Sequence, residues 1–93
     1  MAADKETILE NVVRILNDLT GDWEMEFSGP IGPGTMIISD LEFESIDVVQ
    51  FVVQIEEQYK RKDLPFEKLL MRDGRYRDDI SVGEVVDFLH TYL

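Results

Sequence analysis

The chain has no cysteine and a lone histidine, His90. Without thiols there is neither a disulfide framework nor a thiolate zinc site, and one imidazole cannot make a metal cluster by itself. Basic residues are also scarce. Nine Lys and Arg against twenty Asp and Glu leave a net charge of -11. Such a field repels nucleic acid and anionic membrane surfaces and attracts basic surfaces on partner proteins. No apolar run approaches the roughly 20 residues that a membrane-spanning helix needs. The opening "MAADKETILE" lacks the basic start and apolar core of a secretory leader. A soluble, cytoplasmic protein is expected, without metal, nucleic acid or membrane among its partners. There is no Gly-rich phosphate loop, no calcium-loop spacing and no pair of His residues for a metal. One His among many solvated carboxylates supplies no convergent catalytic constellation, so no catalytic residue is assigned and an enzyme is not expected.

What is present suffices for a modest core: 93 residues, 44% of them hydrophobic, with five Phe, three Tyr and one Trp. One domain over residues 1–93 is expected. From Asp4 to Leu19, Ile8, Val12, Ile15, Leu16 and Leu19 recur at spacings of three and four, one stripe of an amphipathic helix that stops at Thr20-Gly21. Residues 21–44 hold Pro30, Pro33 and four glycines, a long connection that no regular helix can cross. In it Trp23, Met25 and Phe27 alternate with acids and are read as a loop laying its apolar side on the core. Ser45 to Tyr59 is free of Gly and Pro, with Val48, Val52, Ile55 and Tyr59 as the core-facing line of a second helix. "LPFEKLLM" predicts a short third helix with Pro65 near its first turn, and "RDGRYRDD" an exposed connection. "SVGE", Ser81 to Glu84, matches a capping box ahead of Val82, Val85, Val86, Leu89 and Leu93 at helical spacing. The fold class is therefore all-α, a four-helix domain with a long loop after the first helix.

The charge is unevenly placed. Residues 1–59 hold thirteen acids and two bases, residues 60–79 five acids and seven bases, and residues 80–93 two acids. Within the acidic part, "SDLEFESIDVVQFVV" puts Ser45 between acids and directly ahead of an apolar helical run. Ser is among the favoured N-cap residues, so the local context assigns Ser45 to capping. A second reading makes its hydroxyl a covalent attachment point, since the first turn of a helix is exposed and its unpaired N–H groups and dipole favour a phosphate. The two are compatible.

"DLEFESIDVV" resembles the phosphopantetheine-attachment motif of acyl carrier proteins, whose usual form is Asp-Leu-Gly-x-Asp-Ser-Leu followed by an apolar helix. Asp40-Leu41 fits the leading pair, Ser45-Ile46 the modified serine and its apolar follower, "EEQY" the end of the second helix and "ISVGEVVDFL" the last helix. The resemblance covers essentially the whole chain and is weakest over residues 22–34 and 60–79. It implies the four-helix fold of that family and a covalent 4'-phosphopantetheine arm, moved from coenzyme A onto Ser45 by a phosphopantetheinyl transferase. The terminal thiol of the arm carries acyl groups as thioesters, which reconciles a thioester carrier with a chain lacking cysteine. It also implies that partner enzymes, acyl-loading and ketosynthase-type, meet the second helix through basic patches. Helical spacing sets Ile46, Gln50, Val53 and Glu57 on a stripe separate from the core line. By the resemblance, Glu44, Asp47, Glu56 and Glu57 supply charge to that face, and Ile46 and Val53 apolar contact.

Three residues depart from the family pattern. Glu42 stands where Gly is usual, so the turn into the helix either avoids a left-handed backbone or accepts strain. Glu44 replaces Asp, and Gln50 occupies a position that is often acidic. These departures favour a specialised or polyketide-type carrier over a housekeeping fatty acid carrier. The basic connection over 60–79 is longer than the family's usual link and is read as a surface insertion, with docking of an acidic partner through Arg72, Arg75 and Arg77 as the sharper hypothesis. With Met1 at the start and the last helix at the end, a free-standing, monomeric carrier is expected. The alternatives are a peptidyl or aminoacyl carrier of a non-ribosomal pathway and an acidic helical adaptor that is never acylated.

Overall fold

The computed structural model describes residues 4–21 and 31–93, and the predicted loop carrying Trp23, Met25 and Phe27 lies outside the described residues. Among the described residues there are four helices: α1 (Lys5–Thr20), α2 (Ser45–Tyr59), α3 (Glu67–Leu70) and α4 (Val82–Tyr92). The all-α expectation holds, with one addition. Between α3 and α4, β1 (Met71–Arg72) and β2 (Arg75–Tyr76) form a minimal antiparallel hairpin.

α1 begins where the Asp4 side chain accepts the Thr7 N–H at 2.8 Å, and it buries Ile8, Val12, Ile15 and Leu16. Its last residue, Thr20, is buried and donates its hydroxyl to the Leu16 carbonyl at 2.8 Å, so that no polar group is stranded. α1 packs on both α2 and α4. α4 opens with the expected capping box: the Glu84 N–H donates to Ser81 Oγ at 3.1 Å, and the Ser81 N–H donates back to Glu84 Oε1 at 3.3 Å. It buries Val82, Val85, Val86, Phe88 and Leu89, while Leu93 closes the chain half-buried.

The predicted core line of α2 is shifted in the structure. Phe51 and Ile55 are the buried residues, with Val48, Val52 and Tyr59 half-buried on either side. Phe51 takes the centre because it follows Val48 by three and precedes Ile55 by four, and its ring meets Phe43 edge-on at 6.3 Å. The predicted third helix contracts to one turn. Pro65 lies ahead of it, and its carbonyl accepts the Lys68 N–H at 2.9 Å, while Met71 has already entered β1. Phe66, at the start of that turn, packs on Phe88 at 5.2 Å, and Phe88 on Tyr92 at 5.0 Å. The expected exposed connection is the hairpin. Asp73 and Gly74 both take positive φ, 54° and 78°, as a two-residue type I′ turn requires.

The connection into α2 is tied to the start of α4. The Ile37 N–H donates to the Ile80 carbonyl at 2.9 Å; the Thr35 and Pro33 carbonyls accept the N–H groups of Val82 and Gly83 at 2.9 and 2.8 Å. Two donors of the first turn of α4 that have no partner within the helix are satisfied by this loop. Gly83 permits the approach, since a Cβ there would stand 3.1 Å from the Pro33 oxygen.

Candidate functional site: a serine at the start of α2

The residues ahead of Ser45 form a turn held from both sides. Asp40 Oδ2 accepts the Met36 N–H at 2.8 Å, and the Met36 carbonyl accepts the N–H groups of Asp40 and Leu41 at 3.0 and 3.1 Å. Leu41 and Phe43 are buried and alternate with exposed Glu42 and Glu44, so the segment is anchored at two apolar points with its acids facing water. Glu42 adopts φ 57°, the left-handed region that favours glycine. Of the two options left by its sequence, this turn takes the strained one.

Ser45 is not the N-cap. Glu44, extended at φ -97° and ψ 175°, holds that position, and its N–H donates to Asp47 Oδ2 at 2.8 Å. The capping expectation for Ser45 is thus corrected: the Asp47 carboxylate, three residues into the helix, reaches back to satisfy the entry, and Ser45 becomes the first helical residue. Its side chain is exposed, and its hydroxyl makes no hydrogen bond among the described residues. The N–H groups of Ser45 and Ile46 likewise find no acceptor among the described residues. A nucleophilic hydroxyl thus stands beside free N–H donors at the positive end of a fifteen-residue helix.

Along α2, Ile46 is 60% exposed and Val53 44%, and Gln50 and Glu57 are exposed beside them, one face of the helix. Val49, 56% exposed, belongs to the same face and was missed in the sequence; its spacing of three from Ile46 and four from Val53 is the signal that finds it. Glu44 is exposed. Asp47 and Glu56 are half-buried, and Asp47 gives one oxygen to the helix entry.

The bases of the connection are in part already engaged. Arg77 pairs with Glu84, and Arg61 with Asp63 at 2.7 Å. The Arg77 guanidinium holds the Glu84 carboxyl below its ordinary 4.5, against the opposing effect of burial. Arg75 and Tyr76 are exposed on β2. Among the described residues no group of His, Cys, Asp or Glu is placed to hold a metal, and no helix is long and apolar enough to cross a membrane. Beneath α2, Phe51, Val52, Ile55, Leu69 and Ile80 help to line an apolar cavity of about 20 Å³.

The described residues thus present an unengaged serine at the start of an acidic, partly apolar helix. Acyl carrier proteins from Tropheryma whipplei strains Twist and TW08/27 are each 28% identical to this chain over 89 residues, covering 96% of it and 94% of their own length. No family model and no solved structure matches. Similarity over nearly the whole of both chains, together with the four-helix fold, supports the acyl carrier protein family for this chain.

Proposed function

We propose that the protein carries acyl intermediates as thioesters on a phosphopantetheine arm attached through Ser45, in polyketide or specialised fatty acid biosynthesis. The observation that carries this reading is the division of labour at the entry of α2. Glu44 and Asp47 do the capping, and the Ser45 hydroxyl is exposed and without a partner among the described residues. The protein itself catalyses nothing, in keeping with its relatives.

In the attachment step, Ser45 Oγ forms a bond to the phosphorus that carries the pantetheine of coenzyme A. The bond from that phosphorus to the adenosine bisphosphate leaving group breaks, and the hydroxyl proton passes to a base on the transferase. The residues present fit such a group: the free N–H groups of Ser45 and Ile46 and the α2 dipole would favour the negative charge of a phosphodiester on Ser45. When bound, the arm supplies a thiol for thioester chemistry. The chain's own part is to hold the serine outward and to offer Glu44, Ile46, Asp47, Gln50, Val53, Glu56 and Glu57 to basic partner enzymes, with Val49 added by the exposed face. A cavity of about 20 Å³ is near the room of one water molecule, so an acyl chain enters the core only if its walls part.

The test is intact-protein mass spectrometry after incubation with coenzyme A and broad-specificity phosphopantetheinyl transferases. Wild type should gain one phosphopantetheine and Ser45→Ala none. A wild type left unmodified by several transferases would sink the carrier reading in favour of an adaptor.

A further inference from the structure

We propose that Asp79 is a positioning residue for Ser45, fixing from the far end of the chain the loop that presents the serine to its modifying enzyme. The inference rests on the reading of Ser45 as the attachment residue.

Asp79 lies two residues ahead of the N-cap of α4, half-buried, and its carboxylate faces the connection that leads into α2. Oδ1 accepts the N–H groups of Ile38 and Ile80, each at 2.8 Å. Oδ2 accepts the Ser39 N–H at 3.0 Å and the Ser39 hydroxyl. None of the ion pairs among the described residues involves Asp79. Its charge is met by loop dipoles, and three of its four donors belong to Ile38 and Ser39, inside the turn that precedes the motif. Burial pushes the carboxyl up, yet the Ser39 hydroxyl and the three N–H groups outweigh it and hold the group below its ordinary 3.8.

Between Ser39 and Ser45 the chain is not free to absorb a displacement. Leu41 and Phe43 are buried, Asp40 is bonded to Met36, and Glu42 is confined to the left-handed region. A shift of Ile38 and Ser39 is therefore passed along the motif to the first turn of α2. The connection over 60–79 gains a task that its basic composition does not suggest. Its last residues, with Arg77 held by Glu84, deliver one carboxylate to the serine loop.

Asp79→Asn keeps the shape but replaces one acceptor oxygen by an amide that faces the Ser39 donors. Ser39→Ala removes the hydroxyl alone. The docking face of α2 is untouched by either, so the loss should fall on kcat of transferase-catalysed modification, with KM for the carrier near wild type. Misplacing a reacting group by about 1 Å can cost about a hundred-fold, and a roughly ten-fold or greater fall in kcat is expected for Asp79→Asn, with a smaller fall for Ser39→Ala. Amide hydrogen exchange should quicken at Ile38 and Ser39 and in the first turn of α2. Ile55→Val, chosen to lower stability in a buried position, should leave kcat unchanged under conditions where all variants are folded. Should Asp79→Asn not fold, Ser39→Ala alone decides by the same measurements. A wild-type kcat in the variants, with exchange faster at Ile38 and Ser39, overturns the inference and leaves the attachment reading standing. A wild type that takes no arm overturns both.

Discussion

Replacing Glu42 with glycine should make the protein more stable, although it removes a side chain from a structured turn. Glu42 sits at φ 57°, three residues ahead of Ser45, with its side chain exposed. A left-handed backbone crowds the Cβ of an L-residue at about 1–2 kcal/mol, which glycine does not incur. Against this, glycine gives the unfolded chain more freedom, worth about 0.5–1 kcal/mol. The difference favours Glu42→Gly by about 0.5–1 kcal/mol, equivalent to a rise in Tm of about 2–8 °C for a domain of this size. Losing one negative charge from a chain at -11 adds in the same direction, so charge must be separated from backbone strain. Glu42→Gln removes the charge and keeps the Cβ; it should gain at most about 0.5 kcal/mol, as exposed substitutions do. Thermal and urea unfolding followed by circular dichroism read both variants. An equal gain from Gln and Gly would assign the effect to charge, and a loss on Glu42→Gly would refute the strain argument altogether.

Other outcomes follow from the same geometry. Lys60 closes α2 at φ 54°, and Lys60→Gly should stabilise by a similar about 0.5–1 kcal/mol in urea unfolding, because a left-handed C-terminal residue is where glycine serves best. Asp79 and Glu84 have folded pKa values below their ordinary 3.8 and 4.5, so their stabilisation is fully present above those values and is lost as pH falls through the lower folded ones. The stability gap between wild type and Asp79→Asn should accordingly be widest near neutrality and close in acid; a gap constant with pH would contradict the carboxylate's role. Asp47→Asn keeps an acceptor for the Glu44 N–H and loses the charge at the positive end of α2, so stability should fall by about 0.3–1 kcal/mol while the KM of a basic partner rises and its salt dependence weakens.

The parts of this fold governed by local rules were legible. α1 was marked by its apolar period and by Gly21, and α4 by Ser81 and Glu84, since a capping box is complete within four residues. The limits of α2 were found as well, yet its cap was misassigned. Glutamate is not a favoured N-cap, and the reach of Asp47 back to the Glu44 N–H decides the matter. The hairpin left one legible sign, Asp73-Gly74, but strands of two residues are too short to show alternation. Phe51 was passed over because two apolar lines run along α2, and the edge contact with Phe43 selects the one that faces the core. Asp79 could not have been found. It lies 41 residues from Ile38, and no spacing rule connects a carboxylate before the last helix to a loop before the second.

The proposed docking face owes its direction to where the positive charges are not. Arg77 is held by Glu84, Arg61 by Asp63 and Lys5 by Asp87, while Arg14 donates to Gln58 at 2.5 Å. None of the ion pairs among the described residues involves Glu44, Asp47, Glu56 or Glu57, and Arg14 meets α2 at the neutral Gln58. The acids also stand at the two ends of the apolar stripe, Glu44 before Ile46 and Glu56 and Glu57 after Val53. At 1.5 Å per residue, Glu44 and Glu57 are separated by about 20 Å along the helix. Charge interactions in physiological salt are screened over about 8 Å, so the two ends act on a basic partner as separate anchors. One anchor attracts, whereas two fix an axis. On the proposed reading, a partner held at both would be turned so that Ile46, Val49 and Val53 lie between, with Ser45 at one end of the contact. Orientation, more than affinity, is what this spacing supplies.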